Sequence, residues 1–202
     1  MRRPLSKRRS VLLRVHLSSS HCLHSLSKKK ADKRMKIVRL TQDYVFKPFD
    51  CGEGDLNEFL LHDAKQYLKG LLSVTYVVED EDSTVAFFSL SNDRISLAES
   101  DKATWRRIRN SFPHRKHRSD YPAVKIGRLG VNVNAQHKHI GTDIIDFVKQ
   151  TFITNNRTGC CFVTVDALKS AVSFYMSNGF KPLRKENEGD TVPMYYDLTQ
   201  LV

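Results

Sequence analysis

The segment from residue 136 to 142, Gln-His-Lys-His-Ile-Gly-Thr, constrains this chain more than any other, because it joins an apolar strand to an amphipathic helix. The strand pattern covers 123–133, and the helix pattern begins near Ile140. A tight strand-to-helix turn leaves several backbone N–H groups without helical partners, and the helix dipole adds positive potential at the same place. The basic run at 137–139 strengthens that field. The segment therefore predicts a site for a phosphate or pyrophosphate group.

Strand and helix patterns alternate along the chain after residue 35. An acidic turn at 80–83 lies between two β-branched and aromatic runs, which predicts a hairpin. Asp55 is the predicted N-cap of the first helix. The predicted strands are 36–40, 73–79, 84–90, 123–133, 162–165, a short one near 180 and 194–198, and the predicted helices are 55–69, 101–110, 140–154 and 168–178. This order predicts an α/β (α+β) sandwich around one sheet.

Residues 1–34 carry most of the positive charge of the chain. They hold eleven of the 33 Lys and Arg residues and one of the 22 acids, so +10 of the total net charge of +11 lies there. Their serine clusters and lack of periodicity predict a disordered basic tail. Two other interpretations are an organelle transit peptide and a misassigned start, with translation beginning at Met35. We favour the start at Met35, with one domain over 35–202; a translated tail would bind nucleic acid through its charge.

Several classes of protein are disfavoured by the sequence. No apolar run approaches the length that crosses a membrane, so an integral membrane protein is not expected. The four cysteines have neither zinc-ligand spacing nor the pattern of a disulfide framework, so no metal is predicted. The sequence is typical of a reduced, cytoplasmic protein.

Two motifs together resemble the GNAT family of acetyl-CoA-dependent N-acetyltransferases. The residues that carry this resemblance are Gln136-x-x-His139-x-Gly141, followed by Phe174-Tyr175 and Gly179-Phe180. Three further segments resemble the toxin-like GNATs of bacterial toxin–antitoxin pairs, at 49–60, 126–131 and 165–167. The resemblance extends from about Met35 to the C-terminus, with its motifs in the order of the family. The chain departs from the family at His139, where glycine is usual.

The resemblance implies the GNAT fold, a central mixed, mostly antiparallel sheet flanked by helices, and acetyl-CoA as co-substrate. Coenzyme A needs N–H donors for its pyrophosphate and a strand edge for the amides of its pantetheine arm. The implied cofactor-binding residues are Leu129, Val131, Val133, Gln136, His137, Lys138, His139, Ile140, Gly141 and Thr142. A Cβ at residue 139 restricts positive φ, and the imidazole would instead donate a hydrogen bond to a phosphate oxygen. The alternative is that 137–139 is a solvated helix start.

Tyr175 matches the general acid of the family. A phenol held near the sulfur can protonate the thiolate that leaves during acetyl transfer. The alternative for aromatic residues at helical spacing is core packing, which we predict for Phe174 and Phe180. A backbone N–H on the strand at 129–131 would hold the oxyanion.

The predicted strand before the cofactor turn contains no acid that could serve as a general base. An α-amine with a pKa of ~7.7–8.0 keeps an appreciable neutral fraction at neutral pH, whereas a lysine amine at ~10.4 does not. The sequence therefore favours an α-amine as the acceptor over a lysine side chain. Asp120 and Glu53 remain candidate bases, although an ordinary surface charge is the favoured interpretation of each.

The densest basic stretch of 35–202 lies between Asp101 and Asp120. Its predicted substrate-binding residues are Arg106, Arg107, Arg109, Arg115, Lys116 and Arg118. Basic side chains can bind RNA phosphates, and Trp105 and Phe112 offer surfaces for base stacking. The alternative is a solvated helix-and-loop face.

The known acceptor of the toxin-like GNATs is the α-amine of aminoacyl-tRNA, so the resemblance implies tRNA and a small antitoxin protein as partners. Two other functions remain open: acetylation of a small amine or a protein N-terminus, and binding of coenzyme A or RNA without turnover. Both a monomer and a homodimer are compatible with the sequence.

Overall fold

The computed structural model describes residues 35–112, 118–154, 158–185 and 189–202. The basic segment 1–34 lies outside the described residues, as do Arg115 and Lys116. The strands are β1 (Lys36–Arg39), β2 (Val74–Glu79), β3 (Thr84–Ser96), β4 (Asp120–Val131), β5 (Phe162–Leu168), β6 (Lys181–Pro182) and β7 (Thr191–Asp197). The α-helices are α1 (Gly54–Glu58), α2 (Ala64–Lys69), α3 (Lys102–Asn110), α4 (Ile140–Thr154) and α5 (Val172–Ser177).

The described strands form one seven-stranded sheet in the order β1-β2-β3-β4-β5-β7-β6. All neighbours are antiparallel except β4 and β5, which run parallel. Helix α4 connects these two strands, as a parallel connection requires. The prediction of a mixed, mostly antiparallel sheet flanked by helices is confirmed.

The parallel strands β4 and β5 separate soon after they meet. They pair at only three positions, Ala123 with Phe162, Val124 with Val163, and Lys125 with Thr164. Beyond that point β4 remains paired with β3 as far as Val131, while β5 remains paired with β7 as far as Leu168. A gap that we call the fork therefore opens in the middle of the sheet, between β4 after Lys125 and β5 after Thr164.

A β-bulge bends β4 inside the fork. Ser89 of β3 pairs with Arg128 and Leu90 pairs with Ile126, which leaves Gly127 without a partner on β3. A bulge increases the local twist of a strand, which helps to turn β4 away from β5.

Helices cover both faces of the sheet because side chains alternate along each strand. The face covered by α4 and α5 has a core that includes Val124, Ile126, Ile144, Ile145, Val148, Val163, Val165 and Tyr175. The opposite face has two smaller clusters. One surrounds α1 and α2 with Leu40, Phe59, Leu60, Val77 and Phe87, and the other surrounds α3 with Ile95, Trp105, Ile108, Tyr121, Phe162 and Tyr195.

Some local predictions differ from the structure. Glu53, with an extended backbone, precedes the first helix, and Asp55 lies in its first turn instead of capping it. Strand β4 begins at Asp120 and ends at Val131, so Val133 lies in a short 3₁₀ turn. Strand β3 continues to Ser96, beyond its apolar run, because its polar half pairs with the first half of β4. Long-range pairing thus extends a strand that the local pattern ends early.

Candidate active site

The cofactor turn, residues 132–142, is held by side-chain hydrogen bonds at both of its sides. Asn132 accepts a hydrogen bond from the Asn134 N–H at 3.1 Å, which starts the 3₁₀ turn Val133–Ala135. The Gln136 amide donates to the carbonyl of Val131 at 3.1 Å and to the carbonyl of Cys51 at 2.9 Å. Gln136 therefore ties the turn both to the end of β4 and to the segment before α1.

Two histidines of the turn have a left-handed backbone. His137 has a φ of 60° and His139 a φ of 64°. Both side chains are exposed, and the His139 carbonyl accepts a hydrogen bond from the Asp143 N–H at 3.0 Å inside the first turn of α4. The chain thus adopts at residue 139 the backbone conformation that glycine favours, although a Cβ is present there.

The edge of β4 that faces the fork offers backbone groups to a ligand. The Asn132 N–H donates to the Val85 carbonyl of β3, so the alternating peptide groups of Leu129 and Val131 point away from β3, into the fork. The fork offers strand-edge groups suited to the pantetheine amides, although the Val131 carbonyl is already bonded to Gln136. The cofactor turn offers N–H donors suited to a pyrophosphate at the start of a 15-residue helix.

Tyr175 lies beside the cofactor turn. Its neighbour Phe174 packs so closely on Gly141 that a Cβ at residue 141 would lie 3.0 Å from Phe174 Cζ. The Tyr175 ring is 6% exposed and makes edge-to-face contacts with Phe174 and Phe180, with ring centroids 5.1 and 5.4 Å apart. The two motifs, separate in sequence, therefore meet through Gly141 and Phe174.

The Tyr175 hydroxyl makes no hydrogen bond to another described residue. Burial raises the pKa of Tyr175 to about 12, so the phenol keeps its proton at neutral pH. A protonated phenol without a protein partner is suited to donate its proton to a leaving thiolate. The aromatic contacts also agree with the core-packing alternative. The Tyr175 ring therefore packs in the core, while its hydroxyl has no hydrogen-bond partner among the described residues.

The end of α5 is fixed by a buried lysine. Lys149 of α4 is 8% exposed and donates to the Asn178 carbonyl at 3.0 Å, at the C-terminal end of α5. Its Nζ also lies 3.3 Å from Asp146 Oδ1 and 4.2 Å from the centroid of the Tyr196 ring. A cation at a helix C-terminus is favourable, and here it holds the helix that carries Tyr175.

The basic stretch is only partly available to a ligand. Arg106, Arg107 and Arg118 are exposed, whereas Arg109 is half-buried. Trp105 is 7% exposed inside the α3 cluster, and Phe112 stacks on Tyr121 at 4.6 Å between ring centroids. The expectation that these two rings stack on bases is therefore wrong: both fill the core under α3.

The two carboxylates named as candidate bases have other contacts or lie in solvent. Asp120 accepts from the Ser119 hydroxyl at 2.7 Å and pairs with Arg94 at 3.4 Å, at the far end of β4 from the cofactor turn. Glu53 is exposed just before α1. The sequence pattern missed an ion pair inside the fork, where Lys125 Nζ lies 2.5 Å from Asp166 Oδ2. Its sequence signal is the Val165-Asp166-Ala167 motif.

The cysteines and the remaining acids suggest no other chemistry. Cys51, Cys160 and Cys161 are free thiols, and burial raises the pKa of Cys160 to about 11. No group of three His, Cys, Asp or Glu side chains among the described residues could hold a metal ion. In the described part of the chain, no helix is long and apolar enough to cross a membrane.

The seven-stranded sheet, with its parallel strands β4 and β5 joined by α4, has the GNAT fold. Residues 114–196 match the family model of the acetyltransferase (GNAT) domain.

Several solved structures have the same fold. One, described as a bacterial toxin, is 18% identical with a TM-score of 0.69, covering 84% of this chain and 93% of its own. A tyrosine-to-phenylalanine mutant of KacT is 22% identical with a TM-score of 0.68, covering 83% and 99%. AtaT complexed with acetyl-methionyl-tRNAfMet is 21% identical with a TM-score of 0.64, covering 83% and 97%.

Proposed function

We propose that this enzyme acetylates the α-amine of aminoacyl-tRNA and thereby acts as a cytoplasmic toxin that blocks translation. The observation that carries the proposal is the position of the exposed arginines. Helix α3 packs on Tyr121, Ala123 and Phe162, the residues where β4 and β5 meet at the closed end of the fork. Arg106 and Arg107 are exposed on that helix, and we propose that they flank the face by which an acceptor reaches the fork. Arginine side chains at such a place suit the phosphates of an RNA acceptor.

Two similar structures support the choice of acceptor and partner. AtaT has been solved with acetyl-methionyl-tRNAfMet, and an AtaT mutant toxin has been solved with the C-terminus of the antitoxin AtaR and acetyl-CoA. We extend both to this chain as a proposal: tRNA is the acceptor, and a small antitoxin protein restrains the activity.

The residues described above account for each step of the transfer. The cofactor turn binds the pyrophosphate, and the edge of β4 at Leu129 and Val131 aligns the arm so that the thioester lies in the fork. The neutral amine attacks the thioester carbonyl, a C–N bond forms, and a backbone N–H of β4 stabilises the oxyanion. The C–S bond then breaks, and Tyr175 gives its phenol proton to the thiolate. The nitrogen releases its extra proton to water, and the phenolate regains a proton from water.

The proposal is tested by transfer of label from labelled acetyl-CoA to bulk aminoacyl-tRNA, comparing the wild type with Tyr175→Phe. We expect label on the aminoacyl group and a kcat lower by roughly 10²–10⁴-fold in the variant, the usual contribution of a general acid. The Phe ring retains the packing of the site, so acetyl-CoA binding should be unchanged. No label with the wild type, although acetyl-CoA binds, would overturn the tRNA proposal and direct the search to small amines and protein N-termini.

A further inference from the structure

The ion pair between Lys125 and Asp166 lies at the one place where the fork opens. Lys125 belongs to the last paired position of β4 and β5, and Asp166 is two residues beyond the last paired residue of β5. Because the strands are parallel, Asp166 stands at the level of the bulged residue Gly127, about 6.6 Å further along the sheet. The free edge of β4 begins just before this bulge, after Lys125.

Asp166 and Tyr175 approach the fork from opposite faces. Val163 and Val165 point into the core with α4, α5 and Tyr175, so the alternation of β5 directs Asp166 to the other face. A thioester carbonyl in the fork would therefore have the phenol on one face and the carboxylate on the other. An amine that attacks the face opposite the general acid would arrive beside Asp166.

The Asp166 carboxylate remains accessible despite its partner. Its side chain is 46% exposed, compared with 32% for Lys125. The neighbouring Asp93 on β3 differs, because it accepts a hydrogen bond from the Thr164 hydroxyl, which is itself buried. Asp166 is thus the carboxylate of the fork that presents oxygen atoms to an arriving ligand, with its charge held in place by Lys125.

We propose that Asp166 is the residue that receives the acceptor amine: its carboxylate binds the ammonium form and removes a proton. This inference rests on the proposed function and names the base that the sequence of β4 does not contain. The released proton passes from the half-exposed carboxylate to water, and the free amine forms the C–N bond. When the C–S bond breaks, Tyr175 protonates the thiolate. Asp166 takes the second proton that the nitrogen loses and passes it to water, and the phenolate regains its proton from water. The net reaction converts an ammonium and a thioester to an amide, a thiol and one proton.

The test uses the full chain with aminoacyl-tRNA as acceptor and measures kcat/KM for each substrate from pH 6 to pH 9. Asp166→Asn should lower kcat/KM for the acceptor by roughly 10²–10⁴-fold at pH 6, the range for a general base. The loss should shrink above pH ~8, where an α-amine is neutral without help. The affinity for acetyl-CoA should stay within about twofold. Other groups on this face, Lys125, Asp93 and Arg128, are unchanged in the variant, so a pH-dependent loss would report on residue 166.

A charge exchange separates this role from a purely structural ion pair. The double variant Lys125→Asp/Asp166→Lys keeps an ion pair but exchanges the positions of the cation and the carboxylate. Its Tm should be close to that of the wild type, while its transfer activity should stay low. Lys125→Met should lose less transfer than Asp166→Asn, since the carboxylate remains although the cation that holds it is gone. Asp43→Asn, an exposed aspartate beyond the β1 edge of the sheet, is the matched control and should behave as the wild type.

Four outcomes would overturn the proposal. Recovery of full transfer in the exchanged pair would show that Asp166 only fastens β4 to β5, as would an equal loss in Lys125→Met and Asp166→Asn at every pH. Wild-type transfer with an unchanged Asp166→Asn variant would reject this inference and leave the proposed function standing. Absence of wild-type transfer to aminoacyl-tRNA would reject both.

Discussion

At the scale of single residues, the cofactor turn is suited to bind a phosphate, although two of its residues have an unfavourable backbone conformation. His137 and His139 each place a Cβ in the left-handed region, which costs an L-residue roughly 1–2 kcal/mol. The restriction at His139 follows from the sequence, because a comparison with the family identifies the position where glycine is usual. The left-handed φ of His137 cannot be predicted from the sequence, because it depends on how the whole turn closes between β4 and α4.

The strain at His139 can be measured by comparing two replacements. His139→Gly should be more stable than His139→Ala by about 1 kcal/mol, because glycine adopts a positive φ without the Cβ penalty. Both variants lack the imidazole, so the difference reports on the backbone alone. Urea unfolding gives the free energies of unfolding. Equal stability would mean that the turn relaxes to negative φ when the imidazole is lost.

The raised pKa of Tyr175 predicts the alkaline behaviour of the enzyme. An ordinary phenol loses its proton near pH ~10, whereas burial moves the pKa of Tyr175 to about 12. The acid form therefore persists to higher pH, and kcat at saturating substrates should stay level through pH 10. Steady-state kinetics from pH 7 to pH 10.5 check this. A decline centred below pH 9 that is absent from Tyr175→Phe would contradict it.

At the scale of elements, the contact between α4 and α5 decides where Tyr175, the proposed general acid, lies. The bounds of α4 are predictable, because its apolar residues recur clearly at helical spacing, and the observed helix is Ile140–Thr154 as expected. The role of Gly141 is not predictable in the same way. The motif suggests a phosphate site, whereas the structure shows that the missing Cβ also makes room for the Phe174 ring.

A methyl group at residue 141 should therefore separate the two helices. Gly141→Ala would place a Cβ 3.0 Å from Phe174 Cζ and 3.1 Å from Cε2, closer than ordinary packing allows. We expect a loss of 1–3 kcal/mol of stability, typical of overpacking, and a lower kcat because Tyr175 shifts with its helix. Thermal unfolding and transfer assays measure both. Gly159→Ala, which has no heavy atom within 4 Å of the added Cβ, is the control and should change neither.

At the scale of the whole molecule, the parts of the site come from strands that are distant in sequence. Composition and periodicity predict most of the strands and helices, and the family resemblance supplies the fold. They do not supply the point at which β4 leaves β5, because that depends on the register of two non-local pairings and on the bulge at Gly127. For this reason the sequence of β4 gives no indication that an acid at residue 166 lies beside it.

The exposed arginines make a prediction for the docking of the whole acceptor. In the double variant Arg106→Ala/Arg118→Ala, two cations are removed from the surface beside α3 without changing the core. If each contacts one phosphate, the slope of log K against log salt should fall in magnitude by about 1.4–1.8. The KM for acetyl-CoA should not change. Filter binding of tRNA between 50 and 200 mM salt measures the slope, and an unchanged slope would place the RNA elsewhere.

The unpaired edge of β4 has a consequence for the lifetime of the protein. An interrupted sheet is a weak place in a fold, and a coenzyme arm that hydrogen-bonds to that edge completes it as an added strand would. A ligand that binds only the native state stabilises it by about 2.7 kcal/mol at a hundredfold excess over Kd. Resistance to proteolysis should then rise and fall with the supply of acetyl-CoA, so that the metabolic state of the cell would set how long this enzyme survives.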